Sequence, residues 1–354
     1  RGSCQNILEI EVESTDNKKF SDEFNEIVNE IFNYLELHYD IMFYYANMMS
    51  KNSIINEGIF SFPFQGQMPV SMMGNEELSS EYTIKQKFDG ERVHFIIFEE
   101  KVHFLHRNGL QISNDFEVNI EDVMIVDGEM IFHSDDVKII GTKDRKTKSK
   151  PSRVSFVVFD FLDYDHDQLL RTKEYLVRYR ILAGNIKDIE ITDVFTKEKF
   201  QFSLSPLILP EEMPEEYSDH GRIIENRNGK LIKLSVPIDG YILQKKNDFY
   251  ISGRDDTLLK WKDPSELTVD LRMRYDQKKK MFSLNYLTAS REEKIAEIEP
   301  EEGMKDGEVG EFNYVIGKGW SFYRSREDKE VPNYVTTVIN VMESMINNFS
   351  YEDF

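Results

Sequence analysis

The chain has 354 residues, 40% of them apolar, which suits a globular protein large enough for two cored domains. Its 65 acidic against 44 basic side chains give a net charge of −21, which argues against a protein coated in nucleic acid but leaves room for a basic cleft. There is no apolar run of eighteen residues, so no membrane association is expected, and Cys4 alone allows no internal disulfide.

In chain order, ILEIEVEST alternates Glu9, Glu11 and Glu13 with Leu8, Ile10 and Val12, placing three carboxylates on one face of a strand. Phe24, Ile27, Val28, Ile31 and Leu35 then recur at helical spacing. Residues 41–80, broken by Pro63 and Pro69, read as a connection. From Tyr82 to Leu162 short runs rich in Val, Ile and Phe predict strands. Leu169 to Leu182 predicts a helix. Residues 200–236, interrupted by Pro206, Pro210 and Pro214, resist assignment. IDGYILQKK and TLLKWK are strand-like again. Beyond Asp263-Pro264 the texture changes, with SELTVDLRMRY and KMFSLNYL as strands and an apolar stripe from Val335 to Phe349 as a closing helix. This divides the chain into 1–40, 41–80, 81–264 and 265–354.

Two basic clusters stand out: Lys143, Arg145, Lys146, Lys148, Lys150 and Arg153, and Lys278 to Lys280. Each alone reads as a solvated loop; together they could capture an RNA 5′ end, with binding that weakens in salt. DYDHDQ reads as an acidic turn, since Gln168 stands where a calcium loop needs glycine. His103 and His106, three apart on a strand, point to opposite faces and make a poor zinc pair.

KQKFDGERVHF poses the chemical question. Lys87 is followed by Asp89, Gly90 and Arg92. A free lysine has a pKa near ~10.4, so a nucleophilic one must shed its proton, and neighbouring cations or burial help it to do so. Attack on a nucleotide phosphate would further need carboxylates for a divalent ion, arginines for ribose and phosphates, and a ring for the base. Suitable residues follow in order: Arg107, Glu129 in VDGEM, Phe159 in FVVFDFL, Asp239 in IDGYI, Lys260 and Lys262 in LLKWK, then Arg324, Arg326, Asp328 and Lys329 in RSREDKEVPN. Singly these are weak. Asp127-Gly128 and Asp239-Gly240 each read as a hairpin corner, and Phe159 as core. Their joint order is what carries information.

That order, from about Thr83 to Asn333, resembles the covalent nucleotidyltransferases, meaning mRNA capping guanylyltransferases together with ATP-dependent DNA and RNA ligases. KFDGER is similar to the family's K-x-D-G-x-R, which would make Lys87 the residue that carries the nucleotide. By the same resemblance Asp89, Gly90, Arg92 and Arg107 would hold nucleotide, with the two arginines on the ribose. Glu129 would serve nucleotide or metal, and Phe159 would stack on the base. Asp239 would hold metal, and Lys260 and Lys262 the α-phosphate. LLKWK and the R-x-D-K-x-x-P-N run ending at Pro332-Asn333 look more like capping enzymes than ligases. The implied fold is α+β: a nucleotidyltransferase domain of antiparallel sheets with helices, then a C-terminal OB-fold. The implied reaction uses GTP and Mg²⁺ or Mn²⁺ and passes GMP through a lysyl-GMP intermediate to a 5′-diphosphate RNA end. Domain closure would bring Arg326, Asp328 and Lys329 onto the β- and γ-phosphates. ILEIEVE with its helix resembles the closing strand and helix of a tunnel-type RNA triphosphatase, in which Glu9, Glu11 and Glu13 would bind metal. Viral or plasmid bifunctional enzymes carry such a domain, and a methyltransferase could also be associated. The setting implied is the cytoplasm for that type, or the nucleus for a cellular enzyme. The alternatives are an ATP-dependent polynucleotide ligase and a non-catalytic RNA-binding module.

Overall fold

The computed structural model describes residues 64, 66–74, 80–107, 109–133, 139–140, 153–165, 170–218, 220–315 and 317–354, with further positions between 29 and 41 that are helical. Glu9, Glu11, Glu13 and the basic residues from Lys143 to Lys150 lie outside them.

Two sheets organise the molecule. The first holds β1 (Gln67–Ser71), β2 (Tyr82–Phe88), β3 (Glu91–Phe98), β4 (Lys101–His106), β5 (Met124–His133), β6 (Arg153–Tyr164), β7 (His220–Arg227), β8 (Lys230–Lys245) and β9 (Gly253–Trp261), with shorter strands between. One half runs β4-β3-β5-β6, all antiparallel. Alternate residues of these strands are Val, Ile and Phe, so one face builds a core of Phe95, Phe104, Phe156 and Phe200, closed by Leu182 and Ile186 of helix α1 (Tyr175–Ile186). Edge-to-face contacts between these rings, such as Phe104 and Phe156 at 5.5 Å, are worth about 0.5–1.5 kcal/mol each beyond the area they bury. In the other half, β8 is a sixteen-residue strand that pairs first with β7 and then with β2 and β9. A cleft lies where β2, β8 and β9 face β3, β5 and β6.

Two stretches differ from the sequence reading. The presumed connection at 41–80 contributes β1, which pairs in parallel with β9. Pro69 hides it, yet an edge strand with a register shift at Pro69/Val70 tolerates a residue without an N–H. The unassigned segment 200–236 contains the hairpin β7–β8, turned at Asn228-Gly229 with positive φ at both residues. That Asn-Gly pair was the available signal.

The second sheet has five strands: β10 (Val269–Asp276), β11 (Met281–Leu287), β12 (Glu292–Ile298), β13 (Val309–Val315) and β14 (Gly319–Ser325), in the order β12-β11-β10-β13-β14. This is the OB-type arrangement. Glu301, just after β12, accepts from the Phe322 N–H of β14 at 3.0 Å, bringing the two ends of the sheet together. Pro332-Asn333 then starts helix α2 (Val335–Asn347). Asn333 fixes this start: its side chain accepts from the Asp270 N–H and its own N–H donates to the Asp270 carbonyl.

Helix α2 spans both domains. Val338 and Met345 enter the barrel core, while Ser344 Oγ donates to the Met72 carbonyl at 2.8 Å. Beyond it, the Trp261 indole N–H donates to the Phe349 carbonyl at 3.0 Å, and Tyr351 stacks on Tyr217 with centroids 4.2 Å apart.

Candidate active site

Period two puts Lys85 and Lys87 of β2 on one face, pointing into the cleft. Lys87 Nζ donates to Asp239 Oδ2 at 2.9 Å, and Lys262 Nζ donates to the other oxygen at 2.5 Å. Burial opposes ionisation of Asp239, but Lys87 and Lys262 outweigh it and hold the carboxyl at about 2. Lys262 is likewise raised, since Asp239 overcomes the cost of burial. Lys260, at the rim, is lowered by desolvation and by the charge of Lys87. Lys87 is therefore one of three ammoniums arranged around a single carboxylate, at the meeting point of two cavities.

The Asp-Gly pairs are not hairpin corners. Asp127-Gly128 lies inside β5, and a Cβ on Gly128 would come within 2.3 Å of the Val157 carbonyl oxygen of β6. Asp239-Gly240 lies inside β8 at the register shift between Ile238 and Tyr241. Gly240 has φ +93°, and a Cβ there would meet the Trp261 carbonyl oxygen at 2.2 Å. Glycine at this shift lets β9 approach closely, while Asp239 turns into the cleft beside Lys87 and Lys262.

The first cavity, about 150 Å³, is lined by Lys85, Lys87, Arg92, Arg107, Asp127, Glu129, Phe159 and Asp160, among others. Arg92 donates two bonds to Asp127, at 3.0 and 2.6 Å, and one to the Gln67 carbonyl. Burial raises the Asp127 carboxyl, but Arg92 and His94 prevail and keep it well below the usual carboxylate range. Glu129 is pushed up to about 7, mainly by desolvation; Arg92, Lys87 and a hydrogen bond from Gly90 act against the rise. Phe159 is half-buried, whereas Phe161 on the same strand is fully buried. Its ring lies 5.5 Å from the Arg92 guanidinium. Arg107 is exposed at the rim. The Asp89 N–H donates to the Pro237 carbonyl at 3.0 Å, tying the bend after β2 to β8.

Arg326, Asp328 and Lys329 sit on the OB-type domain and line neither cavity. Arg326 bonds Asp270 at 2.9 Å and Asp328 at 2.9 Å, Lys329 bonds Asp270, and Arg324 pairs with Glu311 at 2.6 Å. Lys279 of the second basic cluster pairs with Glu297. Asp127, Gln67, Tyr250 and Arg178 support the cleft but were not singled out from sequence. Asp127 stood in plain view within VDGEM; the other three carry no local pattern.

A divalent ion that meets nucleotide phosphates is commonly held by one or two carboxylates. Asp239, partly open to the cleft and bonded to Lys87 and Lys262, and Glu129 are the carboxylates that would meet such an ion here; among the described residues no group of three or more metal-ligating side chains comes together.

The model for the mRNA capping enzyme catalytic domain matches residues 7–264, and that for the mRNA capping enzyme C-terminal domain matches residues 244–354. The chain belongs to the mRNA capping enzyme family. An mRNA-capping enzyme from Caenorhabditis elegans is 24% identical over 301 residues, covering 80% of this chain and 47% of that protein. An mRNA-capping enzyme subunit alpha from Neurospora crassa is 28% identical over 239 residues, covering 61% and 55%. The chain thus spans about half the length of these relatives. Among solved structures, a mycobacterial DNA ligase D complexed with ATP and MES aligns at TM-score 0.43 and 13% identity, covering 76% of this chain and 97% of that one. No helix among the described residues is long and apolar enough to cross a membrane.

Proposed function

We propose that this chain is an mRNA guanylyltransferase with Lys87 as its nucleophile. The observation that carries the reading is the placement of the Lys87 amine: between Asp239, Lys260 and Lys262 on one side, and a cavity holding Arg92, Glu129 and Phe159 on the other. Phe159 takes the guanine, and Arg92 and Arg107 hold the ribose. Lys260 and Lys262 meet the α-phosphate, where charge grows in the transition state and preorganised cations help most. In the first step Lys87 gives its ammonium proton to solvent and forms an N–P bond to the α-phosphorus of GTP, the bond to the bridging oxygen breaks to release pyrophosphate, and a second proton leaves the nitrogen to solvent. In the second step a terminal oxygen of a 5′-diphosphate RNA end attacks the same phosphorus, the N–P bond breaks, and GpppRNA is released. Asp239 and Glu129 would hold Mg²⁺ or Mn²⁺, which neutralises phosphate charge. Arg326 and Lys329 serve the first step by leaving Asp270 for the outer phosphates as the domains close.

Incubation with α-labelled GTP and Mg²⁺ or Mn²⁺ is expected to give covalently labelled protein, stable to alkali and labile to acid, and none from Lys87→Ala. Label from ATP alone would make the chain a ligase-type adenylyltransferase; label from neither nucleotide would make it a non-catalytic module.

A further inference from the structure

Lys85 takes no part in the steps above, yet it is 6% exposed and lines the same cavity as Lys87. A buried ammonium ordinarily sits on a carboxylate, because an uncompensated charge is costly there. Here both nearby carboxylates are already gripped by arginine: Asp127 by Arg92, and Asp160 by Arg178 at 2.7 and 2.8 Å. Lys85 Nζ instead makes one hydrogen bond, to Gln244 Oε1 at 2.6 Å. The Gln244 amide in turn donates to Gln67 Oε1 at 3.3 Å, which fixes its oxygen toward the lysine. The ammonium lies 4.9 Å from the centroid of Phe159 and 4.7 Å from that of Tyr175. An ammonium has three donors and no acceptor; among the described residues one N–H goes to Gln244 and the others face the Phe159 and Tyr175 rings, weak contacts that a carbonyl on a base at Phe159 can replace. Burial lowers Lys85 to about 8 against the pull of Asp160 and Asp127, which leaves it largely protonated near neutrality.

We propose that Lys85 selects the base, donating a hydrogen bond to the O6 carbonyl of guanine lying on Phe159. Adenine carries an amino group at that position, and a donor-only ammonium offers it nothing to bond. The spacing supports this. Two residues along a strand span about 7 Å, so Lys87 meets the phosphate while Lys85 meets the base of one bound nucleotide. The proposal rests on the guanylyltransferase reading and adds the residue that makes the enzyme prefer GTP.

The test is covalent labelling of Lys87 at a series of GTP, ITP and ATP concentrations. Inosine keeps O6 and lacks the 2-amino group. The wild-type protein is expected to take label from ITP nearly as well as from GTP, and poorly from ATP. Lys85→Met keeps an unbranched chain, one atom shorter, and removes the donors. The GTP and ITP concentrations for half-maximal labelling should rise about 10- to 100-fold, the value of a hydrogen bond from a charged donor, and the GTP-to-ATP preference should fall by a similar factor. Unchanged GTP dependence with unchanged preference in Lys85→Met, or rejection of ITP by the wild type as strong as that of ATP, would overturn the assignment. If melting shows that Lys85→Met does not fold, Lys85→Gln decides. Its amide both donates and accepts, so labelling from ATP should gain on labelling from GTP, and an unaltered ratio counts against the proposal. Wild-type protein labelled by ATP alone, or by neither nucleotide, would instead remove the guanylyltransferase reading itself.

Discussion

The cleft and the OB-type domain hold their cations in opposite ways. In the cleft, Arg92 and Arg178 are clamped by buried aspartates, and Lys87 and Lys262 share Asp239, whose side chain is partly open. On the barrel, Arg326 and Lys329 are about as exposed as Arg92 and Lys87, but they pair with Asp270 and with the open Asp328 of their own domain. In the first set, Lys87 and Arg92 stand on sheet strands and line one cavity, Lys262 follows the end of β9, and Arg178 reaches Asp160 from helix α1. The second stands on a turn after β14, held by acids of its own domain. On the proposed mechanism, Arg92 would act where Asp127 holds it, while Arg326 and Lys329 would exchange Asp270 for phosphate.

The comparison sharpens most at Arg178. Its removal leaves the buried Asp160 without its charged partner, with the Phe161 N–H still bonded to it, and Arg178→Ala should lose about 3–5 kcal/mol of stability, read as a fall in denaturation midpoint. A shift under about 1 kcal/mol would mean that the cleft is no more rigidly built than the barrel. Next is Asp270→Asn, which releases Arg326 and Lys329. It should cost about 1–3 kcal/mol, since Asp270 is buried and bonds two cations, while lowering the GTP concentration for half-maximal labelling several-fold. A higher GTP requirement would show that Asp270 aims these cations and does not merely store them.

Glu129 gives a smaller, pH-dependent effect. Its carboxyl would ionise near 4.5 unperturbed and does so at about 7 when folded. The folded state therefore binds the proton more tightly, and stability falls as pH rises from about 4.5 through about 7. Glu129→Gln removes that penalty, so its melting temperature should exceed the wild type's at pH 8, with little difference at pH 4.5. An equal offset at both pH values would argue against a strained carboxyl. Smallest is Arg254→Ala. The Arg254–Asp256 pair is about three-quarters exposed on both sides and should shift stability by less than about 0.5 kcal/mol in urea titration.

Lys87, Glu129 and Phe159 were legible because they stand in short motifs whose joint order carries the signal, and the fold brings all three to one cavity. What stayed hidden depended on long-range pairing. Nothing near Gln67 announces that its carbonyl receives Arg92, and β1 is a strand only because β9 lies beside it. Asp127-Gly128 looked like a turn because the usual reason for Asp-Gly is local. The actual reason is the neighbouring strand pressing on Gly128. The helix expected at Leu169–Leu182 appears as Tyr175–Ile186 after a short 3₁₀ turn, a shift of the kind expected where apolar periodicity outlasts the capping signal.

Helix α2 belongs to the barrel by packing, yet its far end is fastened to the nucleotidyltransferase domain through Met72, Trp261 and Tyr217. The chain also crosses between the domains at Asp263–Thr268. Two crossings leave the barrel fewer ways to move than one would, so the closure proposed for Arg326 and Lys329 would have to carry or break the contacts at Met72, Trp261 and Tyr217.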